Sequence, residues 1–231
     1  MTAMSSVCDF AGPALKEEVS LKLRNKDGPN GKDGRDPAVD LVALLKASAQ
    51  RKDLHSGSKL HREASISGLD KNNVFVGNAL VNLYAKCGAL RTAQELFDKL
   101  HVRNEVSWTA LLAGYAEHGF FKEAFSCFEQ MQGEGIHPNA ITLSSILKAC
   151  ANSRNLEKGQ ELHNLVLRDH LLADHIEVGN ALVDMYAKCG AMQKAQEVFD
   201  ELPTRDVVSW NALITSLVAT CYPAAFCVPC V

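Results

Sequence analysis

A long internal repeat constrains this chain more than any other feature. Val76–Leu112 reads VGNALVNLYAKCGALRTAQELFDKLHVRNEVSWTALL, and Val178–Ile214 reads VGNALVDMYAKCGAMQKAQEVFDELPTRDVVSWNALI. The two lie 102 residues apart and agree at 24 of 37 positions. The same offset aligns Ala38–Asn73 with Ala140–His175, which share Leu41, Leu45, Lys46, Ala47, Leu54, Gly57, Leu60, His61 and Leu69. A period this long is a block of smaller units, and the hydrophobic spacing resolves them. Within 105–139, Trp108, Leu111, Leu112 and Tyr115 fall at i, i+3, i+4 and i+7, one face of a helix. His118-Gly119 interrupts it. Ala124, Phe128 and Met131 mark a second helix, which Gly133, Gly135 and Pro138 end.

The same pair recurs along the chain. In 74–104 it is Leu80, Leu83 and Tyr84, a break at Cys87-Gly88, then Ala93, Leu96, Phe97 and Leu100. In 140–175 it is Leu143, Ile146 and Leu147, then Leu156, Gly159, Leu162, His163 and Val166. The spacing predicts helix–turn–helix units over 38–73, 74–104, 105–139, 140–175 and 176–206, with a sixth opening at Val207. No stretch alternates as a strand would, so an all-α chain is expected. One hairpin cannot bury its apolar stripe alone, so neighbouring units must stack into a superhelix. Helical spacing also assigns Tyr84, Trp108, Tyr186 and Trp210 to the core rather than to a stacking platform. His61 and His163 read as matched packing residues.

Composition removes several function classes. The net charge of −3 does not suit a protein that binds nucleic acid by bulk electrostatics. No apolar run approaches the roughly 20 residues of a membrane helix. Eight cysteines without a secretory h-region point to a reducing compartment rather than a disulfide framework. No Walker loop, dinucleotide fingerprint or nucleophile elbow is present. His61-Arg62-Glu63 and Cys227-Val228-Pro229-Cys230 echo the halves of a zinc deaminase signature. His163-Asn164-Leu165, the counterpart of the first, lacks the acid, and the cysteine pair lacks its preceding proline. The chain is therefore expected to hold no catalytic site, no metal and no cofactor.

The succession of 35-, 36- and 31-residue units resembles the P, L and S motifs of the plant PLS-class pentatricopeptide repeat family. The segments that carry the resemblance are NALVNLYAKCG (78–88), NALVDMYAKCG (180–190), VSWTALLAGYAEHG (106–119), FEQMQGEGIHPN (128–139) and SSILKACANSRNLEKGQELH (144–163). The units at 38–73 and 140–175 are similar to L motifs, those at 74–104 and 176–206 to S motifs, and 105–139 to a P motif. The resemblance implies a right-handed α-solenoid related to the tetratricopeptide superhelix. A tetratricopeptide scaffold for protein partners is the alternative. Trp108, Leu111, Tyr115, Ala124 and Phe128 suit that pattern, but Leu112, Met131, Pro138 and the 31-residue units do not.

By the resemblance, the function is sequence-specific single-stranded RNA binding, one base per repeat, as an adaptor in organellar RNA editing or processing. In the family the fifth residue of a motif meets the Watson–Crick edge and the last residue assists it. The implied reading pairs are Asn78 with Asn104, Thr109 with Asn139, and Asn180 with Asp206. The family's code gives them a pyrimidine, adenine and uracil, hence 5′-Y-A-n-U-3′. Ser144 and His175 stand at the unread n. The second residues, Phe75, Val106 and Ile141, would wedge between bases, whereas Glu177 departs from that pattern. The same Asn and Thr residues also suit helix N-caps. The implied partners are an organellar transcript and editing-complex proteins, in a mitochondrion or chloroplast.

The ends read differently. Residues 1–37 hold a KDGPNGKDGRD stretch without apolar period, expected to be a disordered leader. Its acids do not suit a targeting peptide. After VVSWNALIT (207–215), the Cys- and Pro-rich tail matches nothing in the earlier copy. It reads as an incomplete P-type repeat in a fragment. On that reading, cutting the chain after Asp206 costs little RNA affinity.

Overall fold

A computed structural model describes residues 36–169 and 171–221, with side chains through Ile214 except Ala173. Most of the leader and the tail from Tyr222 onward lie outside these residues. The described elements are α1 (Pro37–Gln50), α2 (Leu54–Ile66), α3 (Leu69–Asn72), α4 (Val74–Lys86), α5 (Leu90–Asp98), α6 (Glu105–Glu117) and α7 (Phe121–Gly133). They continue with α8 (Ala140–Ser153), α9 (Leu156–Arg168), α10 (Leu171–Asp174), α11 (Ile176–Lys188), α12 (Met192–Glu201) and α13 (Val207–Cys221). Among the described residues there is no strand. Two ends differ from expectation. The first helix opens on Pro37, whose fixed φ suits a first helical position. The last runs through 216–221, past the point where its sequence stops matching the earlier copy.

Contacts within Ala38–Val231 show why the hairpins stack. The first helices touch in succession: α4 with α6, α6 with α8, α8 with α11, α11 with α13. Each second helix is wedged between two of them, α5 on α4 and α6, α7 on α6 and α8, α9 on α8 and α11, α12 on α11 and α13. The fold is a right-handed α-solenoid. Its core is the expected apolar set, with Leu83, Leu111, Leu112, Met131, Leu143, Ile146 and Leu147 fully buried. Gly114 sets the approach of α6 to α4. A Cβ there would lie 2.6 Å from the Ala85 Cβ and 3.1 Å from its Cα. The turns after α4, α6 and α11 use Gly88, Gly119 and Gly190 at φ 77°, 82° and 79°. Burial pushes the Cys127 and Cys150 thiols up to about 12, so they behave as small apolar residues.

The two tryptophans, matched in sequence, differ in place. Trp108 is 1% exposed, whereas Trp210 is 50% exposed, contrary to its expected core position. Both meet a phenylalanine edge-on, Phe97 at 4.5 Å and Phe199 at 4.8 Å. Among the described residues, only Trp108 is also sealed from the far side, where its indole N–H donates to Glu134 beyond the end of α7 at 3.3 Å.

His61 and His163 do more than fill space. Their Nδ1 atoms lie 2.9 and 2.8 Å from the Tyr84 and Tyr186 hydroxyls, tying the second helices α2 and α9 to α4 and α11. Burial holds both imidazoles below their usual range, with Asp70 and Lys99 near the first and Glu201 and Lys194 near the second acting in opposite senses. The unfolded chain therefore takes up protons that the folded chain refuses. This stabilisation is present above the ordinary histidine range and is lost as pH falls through the folded value. Tm is expected to drop between about pH 7.5 and about pH 5.5. The double variant His61→Gln/His163→Gln should flatten that slope. Thermal melts across the range check this, and an unchanged slope would contradict it.

Candidate nucleic-acid interface

In three of the proposed units, 74–104, 105–139 and 176–206, the fifth and last residues converge although 26 to 30 residues separate them. Each fifth residue sits one turn into a first helix. Each last residue immediately precedes the next first helix and caps it. Asn104 Oδ1 accepts from Ser107 N at 3.1 Å, Asn139 Oδ1 from Thr142 N at 2.8 Å, and Asp206 Oδ1 from Ser209 N at 2.8 Å. Capping fixes these side chains beside the preceding first helix. Asn78 Nδ2 donates to Asn104 Oδ1 at 3.1 Å, and Asn180 Nδ2 donates to Asp206 Oδ1 at 3.2 Å. Thr109 reaches Asn139 through Thr142, whose Oγ1 lies 2.6 Å from Thr109 Oγ1 and donates to Asn139 Oδ1 at 2.9 Å. Cap and pair are thus the same atoms. Asn78, Thr109 and Asn180 are 6%, 9% and 8% exposed, so only their outermost atoms can meet a ligand.

Ser144 and His175 are not brought together. The Ser144 hydroxyl donates to its own helix at Ile141 O, 3.1 Å away, and His175 Nδ1 lies 3.5 Å from Glu177.

The second residues are exposed at successive first helices, Phe75 by 75%, Val106 by 59% and Ile141 by 61%. Val39 and Val208 occupy the same register and are also exposed, by 63% and 58%. Both are the second residues of their units, which open at Ala38 and Val207, so the unit boundaries alone locate them. Scattered surface apolar residues need no explanation, but one on each first helix except α11, where Glu177 stands, is a row.

The charges nearby do not favour phosphate. The Arg103 and Arg205 guanidiniums lie 5.0 and 5.1 Å over Phe97 and Phe199, and Arg205 donates to Phe199 O and Asp200 O at 3.0 and 2.7 Å. These cations are occupied at the C-terminal ends of α5 and α12. Asn139 Nδ2 donates to the exposed Glu105, an acid 34 residues away that no spacing connects with the pair. Donors from the Ser209 backbone hold the Asp206 carboxyl below the usual range, with the Ser209 and Asn180 side chains adding to it. Among the described residues, no group of three His, Cys, Asp or Glu side chains is placed to hold a metal ion.

Known proteins share this chain's repeats and its fold. Residues 103–152 match the PPR repeat family, and 78–104 and 180–207 match the PPR repeat. The chain is a pentatricopeptide repeat protein. It is 41% identical over 176 residues to a chloroplastic pentatricopeptide repeat-containing protein of Arabidopsis thaliana, covering 76% of this chain and 28% of that protein. A mitochondrial relative from the same plant is 38% identical over 178 residues, covering 77% of this chain and 17% of its own length. The chain thus spans less than a third of either relative. The fold matches the pentatricopeptide repeat protein PPR10 in complex with an 18-nt psaJ RNA element, with a TM-score of 0.68 at 18% identity over 90% of this chain and 30% of that one. It also matches the PPR domain of Arabidopsis thaliana protein-only RNase P 1 in complex with tRNA. There the TM-score is 0.57 at 15% identity, over 79% of this chain and 100% of that one.

Proposed function

We propose that this pentatricopeptide chain binds single-stranded RNA, one base per repeat, along the edge formed by Asn78/Asn104, Thr109/Asn139 and Asn180/Asp206. The observation that carries the reading is the joining of each fifth residue to a last residue, directly or through Thr142, while Ser144 and His175 stay apart. Short side chains with fixed donors and acceptors suit exposed base edges, which single strands offer and duplexes hide. Phe75, Val106 and Ile141 insert between successive bases in this reading. The 41%-identical relative is named chloroplastic and the 38%-identical one mitochondrial, which supports an organellar location. In this reading the RNA is an organellar transcript and the chain an adaptor in its editing or processing.

Binding should be weak and only shallowly dependent on salt. Base stacking contributes about 1–3 kcal/mol per base before ordering costs. Only three pairs are joined, Glu105 and Glu177 face the strand, and the net charge is −3. A filter-binding or anisotropy titration should show preference for a single strand over a duplex of the same sequence. Equal affinity for both would sink the reading.

A further inference from the structure

We propose that a buried hydroxyl on the following repeat, at Ser107, Thr142 or Ser209, sets which hydrogen-bonding group each fifth residue turns toward its base. These three would be specificity-determining residues alongside the pairs themselves. The inference rests on the RNA-reading function proposed above. Each hydroxyl residue stands three positions after a paired last residue, and each is 0% exposed. The helices α4 and α11, which follow Asn73 and His175, carry Val76 and Val178 at that position.

Counting protons gives each hydroxyl a direction. Asn139 Oδ1 faces the Thr142 backbone N–H, so it accepts only, and Thr142 must spend its single proton there. Thr142 can then only accept from Thr109. Thr109 is left with lone pairs alone and suits the exocyclic amino group of adenine. Glu105 fixes the other end of this relay by accepting from Asn139 Nδ2.

Ser209 works in the opposite sense. Its oxygen accepts from Asp206 N at 3.1 Å, and its one proton has two acceptors in reach, Asn180 Oδ1 at 2.6 Å and Asp206 Oδ1 at 3.0 Å, of which the shorter contact takes it. One Asn180 N–H is spent on Asp206, so its remaining N–H is a donor that suits a uracil carbonyl. Ser107 is turned onto the backbone, accepting from Asn104 N at 2.9 Å and donating to Asn104 O at 2.8 Å. Asn78 Oδ1 therefore stays buried without a partner among the described residues. Because no partner holds that oxygen, the Asn78 amide can rotate to present either its oxygen or its N–H, which suits either pyrimidine. Two asparagines in nearly identical repeats thus differ in what they offer because their serines point differently.

The test measures affinities of the full chain for RNAs carrying each of the four bases at the Thr109 and Asn180 positions. In Thr142→Val the Thr109 proton is released, and the adenine preference should fall about threefold to tenfold. The preference at the Asn180 position should stay unchanged, and Thr142→Ser should restore the adenine preference. In Ser209→Ala, cytosine should become tolerated beside uracil at the Asn180 position. That second variant keeps the test decisive if Thr142→Val does not fold. A purely structural cap would lower affinity for all RNAs alike and leave the base ratios untouched. Unchanged base ratios in folded Thr142→Val or Ser209→Ala overturn the inference. Absence of base preference in the unsubstituted chain overturns the RNA-reading function itself, and this inference with it.

Discussion

Replacing Trp108 by alanine is expected to destabilise the chain by about 3–5 kcal/mol, the cost of removing a fully buried large aromatic. The indole is 1% exposed, meets Phe97 edge-on at 4.5 Å, and donates to Glu134. It lies where α5, α6 and α7 meet, so its loss opens the contact between two hairpins. Because stability in a solenoid is carried by nearest-neighbour contacts, cooperativity should suffer as well. Trp210→Ala provides the internal control. Its ring is half exposed and, among the described residues, has Phe199 as its aromatic neighbour, so the cost should be about 1 kcal/mol. Chemical denaturation of the two variants checks the contrast. Equal losses would mean that Trp210 is sealed as Trp108 is.

The second large effect concerns specificity. Thr109→Asn with Asn139→Asp copies the Asn180/Asp206 pair and should move the preference at one nucleotide from adenine to uracil. The expected change is about tenfold, equivalent to about 1.4 kcal/mol. One complication is visible only in three dimensions. Asn139 donates to Glu105, and an aspartate there would face that carboxylate. The first residue of the repeat holding Asn180 is Ile176, which poses no such conflict. The double variant should therefore switch incompletely, and adding Glu105→Gln should complete the switch. Competition binding with the four single-base RNAs measures this. A double variant that still prefers adenine, with or without Glu105→Gln, would contradict the register.

Much of the fold was legible because helix periodicity is a property of the sequence itself. Trp108, Leu111 and Leu112 mark a face at any depth of inspection, and an offset of 102 residues turns one hairpin into several. Trp210 was not legible in this way. Its pattern equals that of Trp108, but burial depends on what covers the far side. The candidate pairs came from the resemblance, and the hydrogen bonds that join them are geometry no spacing reveals. The hydroxyls at 107, 142 and 209 had a signal, Asn/Asp-x-x-Ser/Thr across each boundary. That signal reads first as a capping motif, and the direction of each proton needs the three-dimensional network. The Ser209 bonds to Asn180 and Asp206 also revise the expectation for the C-terminus. A cut after Asp206 removes Ser209, so it should blur the uracil position even where overall affinity changes little.

Selection from randomised single-stranded RNA tests the central claim most directly. If the paired residues read bases in chain order, the enriched sequences should share 5′-Y-A-n-U-3′, with no constraint at the nucleotide facing Ser144 and His175. Enrichment of an unrelated motif, or no motif with the chain folded, would contradict it.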